Sequence, residues 1–294
     1  MRFTQYRSFH AVARTNSFTA AAKELNLSQP TITAQVRSLE TAHNIELFHR
    51  IGRRIELTEV GKALYTVTQR LFSVAGEADE LLDAAGALES GHLRITAVGP
   101  YFVMRILSAF RRAYPGVTSA ITIMNSTQAR NALLEFEADI AILAQPEVDP
   151  RLHGILIGSH PLVVVVASTH PWASRKSVRI AEFHDQPMVM REVGSNTRRI
   201  FETATAKSGV SPRIVIEVNS RDAIREAIAE GIGIGVVGEQ AFVPDTRLKA
   251  LRLADANIRM PRYIACLHER KDVRLVKAFF NIARTIPKTA MGRI

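Results

Sequence analysis

The stretch Ser17-Phe18-Thr19-Ala20-Ala21-Ala22-Lys23-Glu24-Leu25-Asn26-Leu27-Ser28-Gln29-Pro30-Thr31-Ile32-Thr33-Ala34-Gln35-Val36-Arg37-Ser38-Leu39-Glu40 decides the N-terminal fold. Ala20, Ala21, Ala22 and Leu25 fall at helical spacing, and Leu27-Ser28 then breaks the pattern. A serine ahead of a periodic run can accept from an orphan backbone N–H, so the next helix is predicted to start near Gln29. Pro30 lies in its first turn, where a missing donor costs little. Ile32, Val36 and Leu39 form the inward stripe and leave Thr33, Gln35 and Arg37 on other faces. Upstream, Phe9, Val12 and Ala13 mark another helix, ended by Asn16-Ser17. Two short helices with a tight break, then an amphipathic third, make a helix-turn-helix.

Downstream, Ile45 to His49 and Ile55 to Thr58 are predicted as short strands around the turn Ile51-Gly52-Arg53-Arg54. A helical pattern then runs from the capping Thr58 to about Leu88 without proline. Leu64, Val67, Leu71, Val74, Ala78, Leu81, Ala85 and Leu88 repeat in strict 3-4 spacing, as the a and d positions of heptads do. Such a stripe calls for a partner helix, although packing on its own domain is the plainer alternative.

From Gly91 the texture changes. Strand-like Leu93 to Ala97, a helix around Met104 to Ala113, strand Ala120 to Met124, a helix near Ala129 to Glu137 and strand Asp139 to Ala144 alternate as in an α/β sheet. The alternation recurs after Pro161. Leu162 to Ala167, Pro187 to Met190, Arg213 to Val218 and Gly233 to Val237 are strand-like, with helices from Thr197 and Asp222 between them. Strand Tyr263 to Leu267 and helix Val273 to Thr285 close the chain. Two similar halves imply a cleft between them.

At 294 residues with 47% apolar content the chain is too long for one ordinary core. Its 38 Lys and Arg against 28 Asp and Glu give a net charge of +10, which permits a polyanionic partner. The charge does not locate that partner: residues 1–70 carry ten basic and five acidic side chains, residues 71–90 carry five acidic and no basic ones, and the excess falls beyond them. The single cysteine, Cys266, forms no intrachain disulfide, and Met1 to His10 shows no basic-then-apolar signal pattern, so a cytoplasmic location is expected. The longest apolar run, Leu162 to Ala167, falls far short of the roughly 18 residues of a membrane span.

A helix that opens on Gln29, Pro30, Thr31 and Thr33 has the chemistry to enter a major groove. Gln bonds adenine edges, and Pro and Thr methyls meet thymine methyls. Arg37 is better placed for phosphate, and Arg50, Arg53 and Arg54 would bring a basic wing to the backbone or minor groove. Taken singly, Ser-Gln-Pro is an ordinary cap and an Arg pair in a turn is an ordinary solvated loop.

Together, these residues resemble the LysR-type family of transcriptional regulators. The matching positions are Ser17-Phe18, Ala21-Ala22, Leu27-Ser28-Gln29-Pro30, Thr33, Gln35, Leu39-Glu40, Leu47-Phe48, Arg50, Arg53, Leu57-Thr58 and Gly61, in order and without gaps. Ala34 stands where many members carry a basic residue, and Val60 where alanine is commoner. The resemblance implies an α+β multidomain protein. Its parts are a winged helix-turn-helix at 1–58, a dimerisation helix at 59–90 and an effector domain of periplasmic-binding-protein type at 91–294. The effector domain has one subdomain at 91–161 and 267–294 and another at 162–266, with crossings near Pro161 and Cys266. It further implies a homodimer through the long helix, a homotetramer beyond it, and a double-stranded operator with dyad symmetry.

Ligands in such sheets bind where strands end and helices begin. Pro100 and Tyr101, Ser126 and Thr127, Gly194 to Thr197 (with Ser195 and Asn196) and Ser220 occupy such junctions, and each is also an ordinary N-cap position. Ala97 to Tyr101, Asn125-Ser126, Arg191 to Ser195, Ser220 to Ala229 and Cys266 to Arg270 resemble a subgroup associated with aminoethylphosphonate catabolism. That implies a small anionic, phosphonate-like effector, held by Ser195, Thr197, Ser126 and backbone donors, with Arg198 as the candidate cation.

No catalytic set, metal site or cofactor is expected. Gly231-Ile232-Gly233-Ile234-Gly235 enters a strand instead of leaving one, the wrong context for a dinucleotide loop. The nine histidines show no metal-ligand spacing, and Ser195 lacks the G-x-S-x-G elbow of a hydrolase. An enzyme fused to a DNA-binding head is the alternative to a regulator.

Overall fold

The computed structural model describes residues 3–51, 54–83, 90–144, 149–255 and 257–286. Two compact units emerge, one mainly Met1–Ala85 and the other mainly Gly86–Ile294.

The first unit holds α1 (Phe3–Thr15), α2 (Phe18–Leu25), α3 (Gln29–His43), the hairpin β1 (Phe48–Ile51) and β2 (Arg54–Leu57), and α4 (Glu59–Asp83). Its core joins Phe9 and Val12 of α1, Ala21 and Ala22 of α2, the predicted Ile32-Val36-Leu39 stripe of α3, and Leu47. Asn16, Asn26 and Asn44 end the three helices with φ near 50°. Asparagine tolerates that left-handed turn at little cost, which lets the helices reverse without glycine. The cap at Asn44 also explains why β1 starts at Phe48 and not at Ile45. The Ile45 N–H closes the helix on the Glu40 carbonyl and the Leu47 N–H goes to the Glu40 carboxylate, so neither serves a ladder. Thr58 caps α4 as predicted, its hydroxyl accepting from Gly61 N at 2.9 Å.

The second unit has two lobes. In the first, β3 (Gly91–Ala97), β4 (Val117–Ile123) and β5 (Ile140–Leu143) run parallel, and α5 (Pro100–Ala113) and α6 (Ser126–Leu134) connect them. Next comes β6 (Leu152–Ala167), which spans both lobes. The second lobe adds β7 (Ser177–Val178), β8 (Pro187–Arg191), α7 (Asn196–Lys207), β9 (Arg213–Val218), α8 (Arg221–Ala229), β10 (Gly235–Gly238) and β11 (Leu248–Leu253). The chain returns on β12 (Arg259–Leu267), antiparallel to β5 and β6, and α9 (Arg274–Thr285) follows.

β6 changes partner midway. Leu152 to Pro161 pair with β12, and Leu162 to Ala167 pair with β10 and β11. The predicted run Leu162 to Ala167 is buried on both faces: Val164 and Val166 pack with Phe183, Met190 and Phe201, while Val163 and Val165 pack with Ile224, Ile228 and Leu248. In the first lobe, Phe102, Val103, Ile106 and Phe110 of α5 meet Leu275, Val276, Phe279 and Phe280 of α9.

Several boundaries shift. α5 begins at Pro100, four residues before Met104, because proline presets the helical φ at the first position. α6 stops at Leu134, followed by Phe136 at φ 58° with its ring buried. Cys266, expected near the return crossing, lies inside β12, whose register with the Leu152–Pro161 half of β6 begins at Arg259. Of the glycines at 231, 233 and 235, the last two serve packing and the first takes a positive φ of 75°. A Cβ on Gly233 would sit 2.7 Å from the Pro187 carbonyl, the acceptor of the Ile234 N–H, and one on Gly235 would sit 2.5 Å from the Ile228 side chain.

Candidate functional site

α3 carries the DNA-reading candidates. Ser28 caps it through Thr31 N at 3.2 Å, and the Thr31 hydroxyl lies 2.7 Å from the Ser28 hydroxyl. Gln29, Pro30, Ala34 and Arg37 are exposed, and Thr31 and Thr33 are half-buried. The Thr33 hydroxyl donates to the Gln29 carbonyl at 3.0 Å, which leaves its methyl as the outward group. Gln35 differs from its neighbours: its side-chain carbonyl accepts from the Ser8 hydroxyl and ties α3 to α1. Arg50 and Arg54 fall on the paired strands β1 and β2. Gly52 and Arg53 lie outside the described residues.

α4 packs on α1 through Tyr65, Thr68 and Phe72. His10 stacks on the Tyr65 ring at 5.2 Å and bonds the Thr68 hydroxyl at 3.1 Å, and Phe3 meets Phe72 edge-on at 5.5 Å. Of the heptad positions, Leu64 packs against the core of the head, and the next three face elsewhere. Val67 and Val74 are 59% and 58% exposed and Leu71 is 37% exposed, an apolar stripe with no cover in a single chain. Ala85 and Leu88 lie outside the described residues.

In the second unit the predicted effector residues divide between hollows. Pro100, Tyr101 and Ser220 line a cavity of about 520 Å³ with Asn125, Gln128, Arg191, Glu192, Asn219, Arg221 and Asp222. Ser126, Thr127, Gly194, Ser195 and Asn196 line another of about 320 Å³ with Arg198, Arg199 and Glu202. Thr197 lines neither; its hydroxyl points to the Met260 sulfur at 3.7 Å, and it borders a small gap beside Tyr101, Arg191 and Arg221. Asn196 is likewise structural: its amide donates to the Ala144 carbonyl at 2.6 Å and its carbonyl accepts from Arg199 at 2.6 Å. Gly194 takes φ +93°, where a Cβ would sit 3.2 Å from the Asn125 amide, so glycine lets these two junctions approach.

The cations differ from those anticipated. Arg198 is spent: it donates to Glu202 at 2.7 Å, to Glu217, and to the Arg191 carbonyl at 3.1 Å. Arg191 and Glu192 form a bidentate pair at 2.7 and 2.9 Å. Burial works against the Glu192 charge, but the Arg191 hydrogen bonds and charge outweigh it and hold the carboxyl below its ordinary range. Arg221 has no such partner. Among the described residues no carboxylate lies within 4.0 Å of it, and its guanidinium donates to the Val98 carbonyl. Burial pushes Arg221 down to about 10, with the nearby Arg191 charge adding to the push. Arg262 is also unpaired with any described carboxylate. It is 5% exposed, lies over the Phe102 ring at 5.8 Å, and is pushed down to about 9 by burial and then by Arg221.

Both arginines left a trace in the sequence. A cation at the first position of a helix opposes the dipole, which is the place of Arg221 on α8. Period-two alternation puts Arg262 on the same strand face as Met260 and Ile264, both buried.

A helix-turn-helix with a two-stranded wing, a long helix bearing an open heptad stripe, and a two-lobed unit whose cleft is lined by Arg191 and Arg221 beside Glu192 and Asp222 define a ligand-responsive DNA-binding regulator. Residues 3–62 match the bacterial regulatory helix-turn-helix protein model of the lysR family, and residues 86–286 match the LysR substrate binding domain. The chain belongs to the LysR family of transcriptional regulators. It is 34% identical to the HTH-type transcriptional activator CmpR of a Synechocystis strain over 79% of this chain and 77% of that protein. Identity to the HTH-type transcriptional regulator CbbR of Rhodospirillum rubrum is 32%, over 85% of this chain and 84% of that one. Full-length CbnR complexed with its target DNA superimposes with a TM-score of 0.71 at 24% identity, covering 97% of this chain and 99% of CbnR. The regulatory domain of Synechocystis CcmR in complex with 2-PG superimposes with a TM-score of 0.62 at 26% identity, covering 70% of this chain and 99% of that domain. These relatives are named as regulators, and the chain is a regulator, not an enzyme with a fused head. Among the described residues no helix is long and apolar enough to cross a membrane.

Proposed function

We propose that this regulator responds to a small anion with a phosphoryl or phosphonyl group, bound in the 520 Å³ cavity between Tyr101, Asn125, Ser220 and Arg221. The observation that carries this reading is Arg221, a partly buried guanidinium that borders the cavity and has no carboxylate partner among the described residues. An anion there would gain charge-assisted hydrogen bonds and relieve an uncompensated charge. The 2-PG complex of the CcmR domain, a structure of the same fold, supports the same chemistry. Aminoethylphosphonate is the first probe.

The wider reading is a cytoplasmic homodimer formed through α4, assembled further into a tetramer, that sets paired α3 helices in successive major grooves of a dyad-symmetric operator. Its parts are the head at 1–58, the helix at 59–90 and the effector domain at 91–294, with the lobe crossings at Pro161 and about Ile258. Effector binding favours one assembly geometry over another, which requires unequal affinity for the two. The test titrates the full chain with aminoethylphosphonate, phosphoglycolate and inorganic phosphate and follows melting temperature and the footprint on operator DNA. A rise in melting temperature with an altered footprint is expected for at least one of them. Unchanged melting with all three overturns the anion reading.

A further inference from the structure

The cleft reading accounts for Arg221 but leaves Arg262 without a task. Arg262 sits on β12 at the junction of the lobes, 5% exposed, and its visible partners are the Pro261 carbonyl at 3.2 Å, the His160 Nε2 at 3.4 Å and the face of Phe102. Phe102 belongs to the first turn of α5, beside the cavity-lining Pro100 and Tyr101. Arg221 holds the Val98 carbonyl just ahead of that turn. The two guanidiniums therefore flank the same helix start, one at the cavity wall and one behind it.

The charges around them do not cancel. Glu192 is taken by Arg191, and Asp222 is a solvated carboxylate whose side chain is 88% exposed. His160 adds no positive charge, since burial and then Arg262, Arg221 and Arg259 push its pKa down to about 3. Neither Arg221 nor Arg262 has a carboxylate in direct contact among the described residues, and Glu192 attracts Arg221 only at longer range. A buried charge is screened far less than a surface one, and Arg262 is not among the residues that line the cavity.

We infer that Arg262 makes the cleft selective for ligands carrying two negative charges, with Arg221 binding the ligand and Arg262 acting through space from behind Phe102. This rests on the proposed cleft site and specifies its ligand class: a dianionic phosphonate or phosphate, in preference to a monocarboxylate or sulfonate of equal size. Arg262 is thus a specificity residue and not a contact. A neutral residue there would leave the cavity shape intact while removing the preference for the second charge.

Methylphosphonate and methanesulfonate test this, because they share a tetrahedral head and differ in charge once the phosphonate has lost its second proton. Calorimetry on the full chain above that ionisation is expected to give methylphosphonate roughly tenfold or more the affinity of methanesulfonate. Lowering the pH through the ionisation should erase that advantage. Arg262→Gln and Arg262→Met, the second a packed apolar replacement should the first fail to fold, are expected to bring the ratio within about threefold, and Arg262→Lys to restore most of it. If both anions bind the wild type equally, or the neutral variants keep its ratio, the role of Arg262 is overturned while the cleft reading stands. If neither anion binds, the cleft reading falls first and this inference falls with it.

Discussion

Arg221, the first residue of α8, donates to the main-chain carbonyl of Val98, the residue after β3, and so ties the second lobe to the first at the mouth of the cavity. A Cβ on the intervening Gly99 would sit 3.3 Å from the guanidinium, so a small residue there allows the approach. The same group is both the lobe tie and the candidate ligand donor. Arg221→Gln is therefore expected to cut effector affinity at least tenfold. Because an unpaired, partly buried charge costs free energy, the empty protein should melt no lower than the wild type. Calorimetry and thermal denaturation check the two halves separately, and a large loss of melting temperature would mean that the lobe tie outweighs the burial cost.

On α3 the exposed side chains divide by task. Gln29→Ala is expected to relax sequence preference with a modest loss of affinity. Arg37→Ala should weaken binding across all sequences and lower the slope of log affinity against log salt by about one. Binding isotherms on operator and scrambled duplexes at several salt concentrations distinguish the two. Gln35→Ala acts differently, since its side chain holds Ser8 of α1. Its effect should appear in the stability of the head before it appears in specificity.

His160 makes the second unit acid-sensitive in a defined window. Its ordinary pKa is 6.5, and burial followed by Arg262, Arg221 and Arg259 pushes it to about 3 in the fold. Between those values the unfolded chain binds more protons than the folded one, so stability falls as pH drops, by up to about 1.4 kcal/mol per pH unit. His160→Gln removes the titration. Between pH 6.5 and 4 the melting temperature of the variant should decline less steeply than that of the wild type, even if Gln packs less well against Phe102 and Gly238. Parallel pH profiles would rule the mechanism out.

What the sequence disclosed follows from the range of the forces involved. The Ile32-Val36-Leu39 stripe and the Ser28 cap are local, and the structure places them as the periodicity requires. The β6 half from Leu152 to Pro161 was hidden because His153, Gly154, Gly158 and His160 interrupt the alternation, and Pro161 falls where the strand changes partner. The cleft was legible only at its rim. Pro100, Tyr101 and Ser220 could be found as strand-to-helix junctions, but whether a hydroxyl or a cation is free is decided by distant partners. Arg198 is consumed by Glu202 and Glu217, and Asn196 by Ala144. Arg221 and Arg262 stand out only because no carboxylate from elsewhere in the described chain reaches them.

The apolar stripe on α4 sets the last expectation. The helix uses Tyr65, Thr68 and Phe72 against α1, and the 3-4 spacing puts Val67, Leu71 and Val74 on a different face, where they stay exposed in the single chain. Exposed residues on one helix at heptad spacing are what a two-stranded coil buries, at about 25 cal/mol per Å² of apolar surface. A charge at the seam would have to be desolvated without a partner. Val67→Asp and Val74→Asp are therefore expected to shift the protein toward monomer in sedimentation equilibrium with its helical circular dichroism largely kept, since both positions are solvent-facing within the chain, while the melting temperature falls and loses its dependence on protein concentration. Operator affinity should fall by a factor of ten or more, because a monomer presents a single α3 to a two-fold site. Unaltered sedimentation in both variants would mean that the stripe is not the dimer seam and that the subunits associate through another surface.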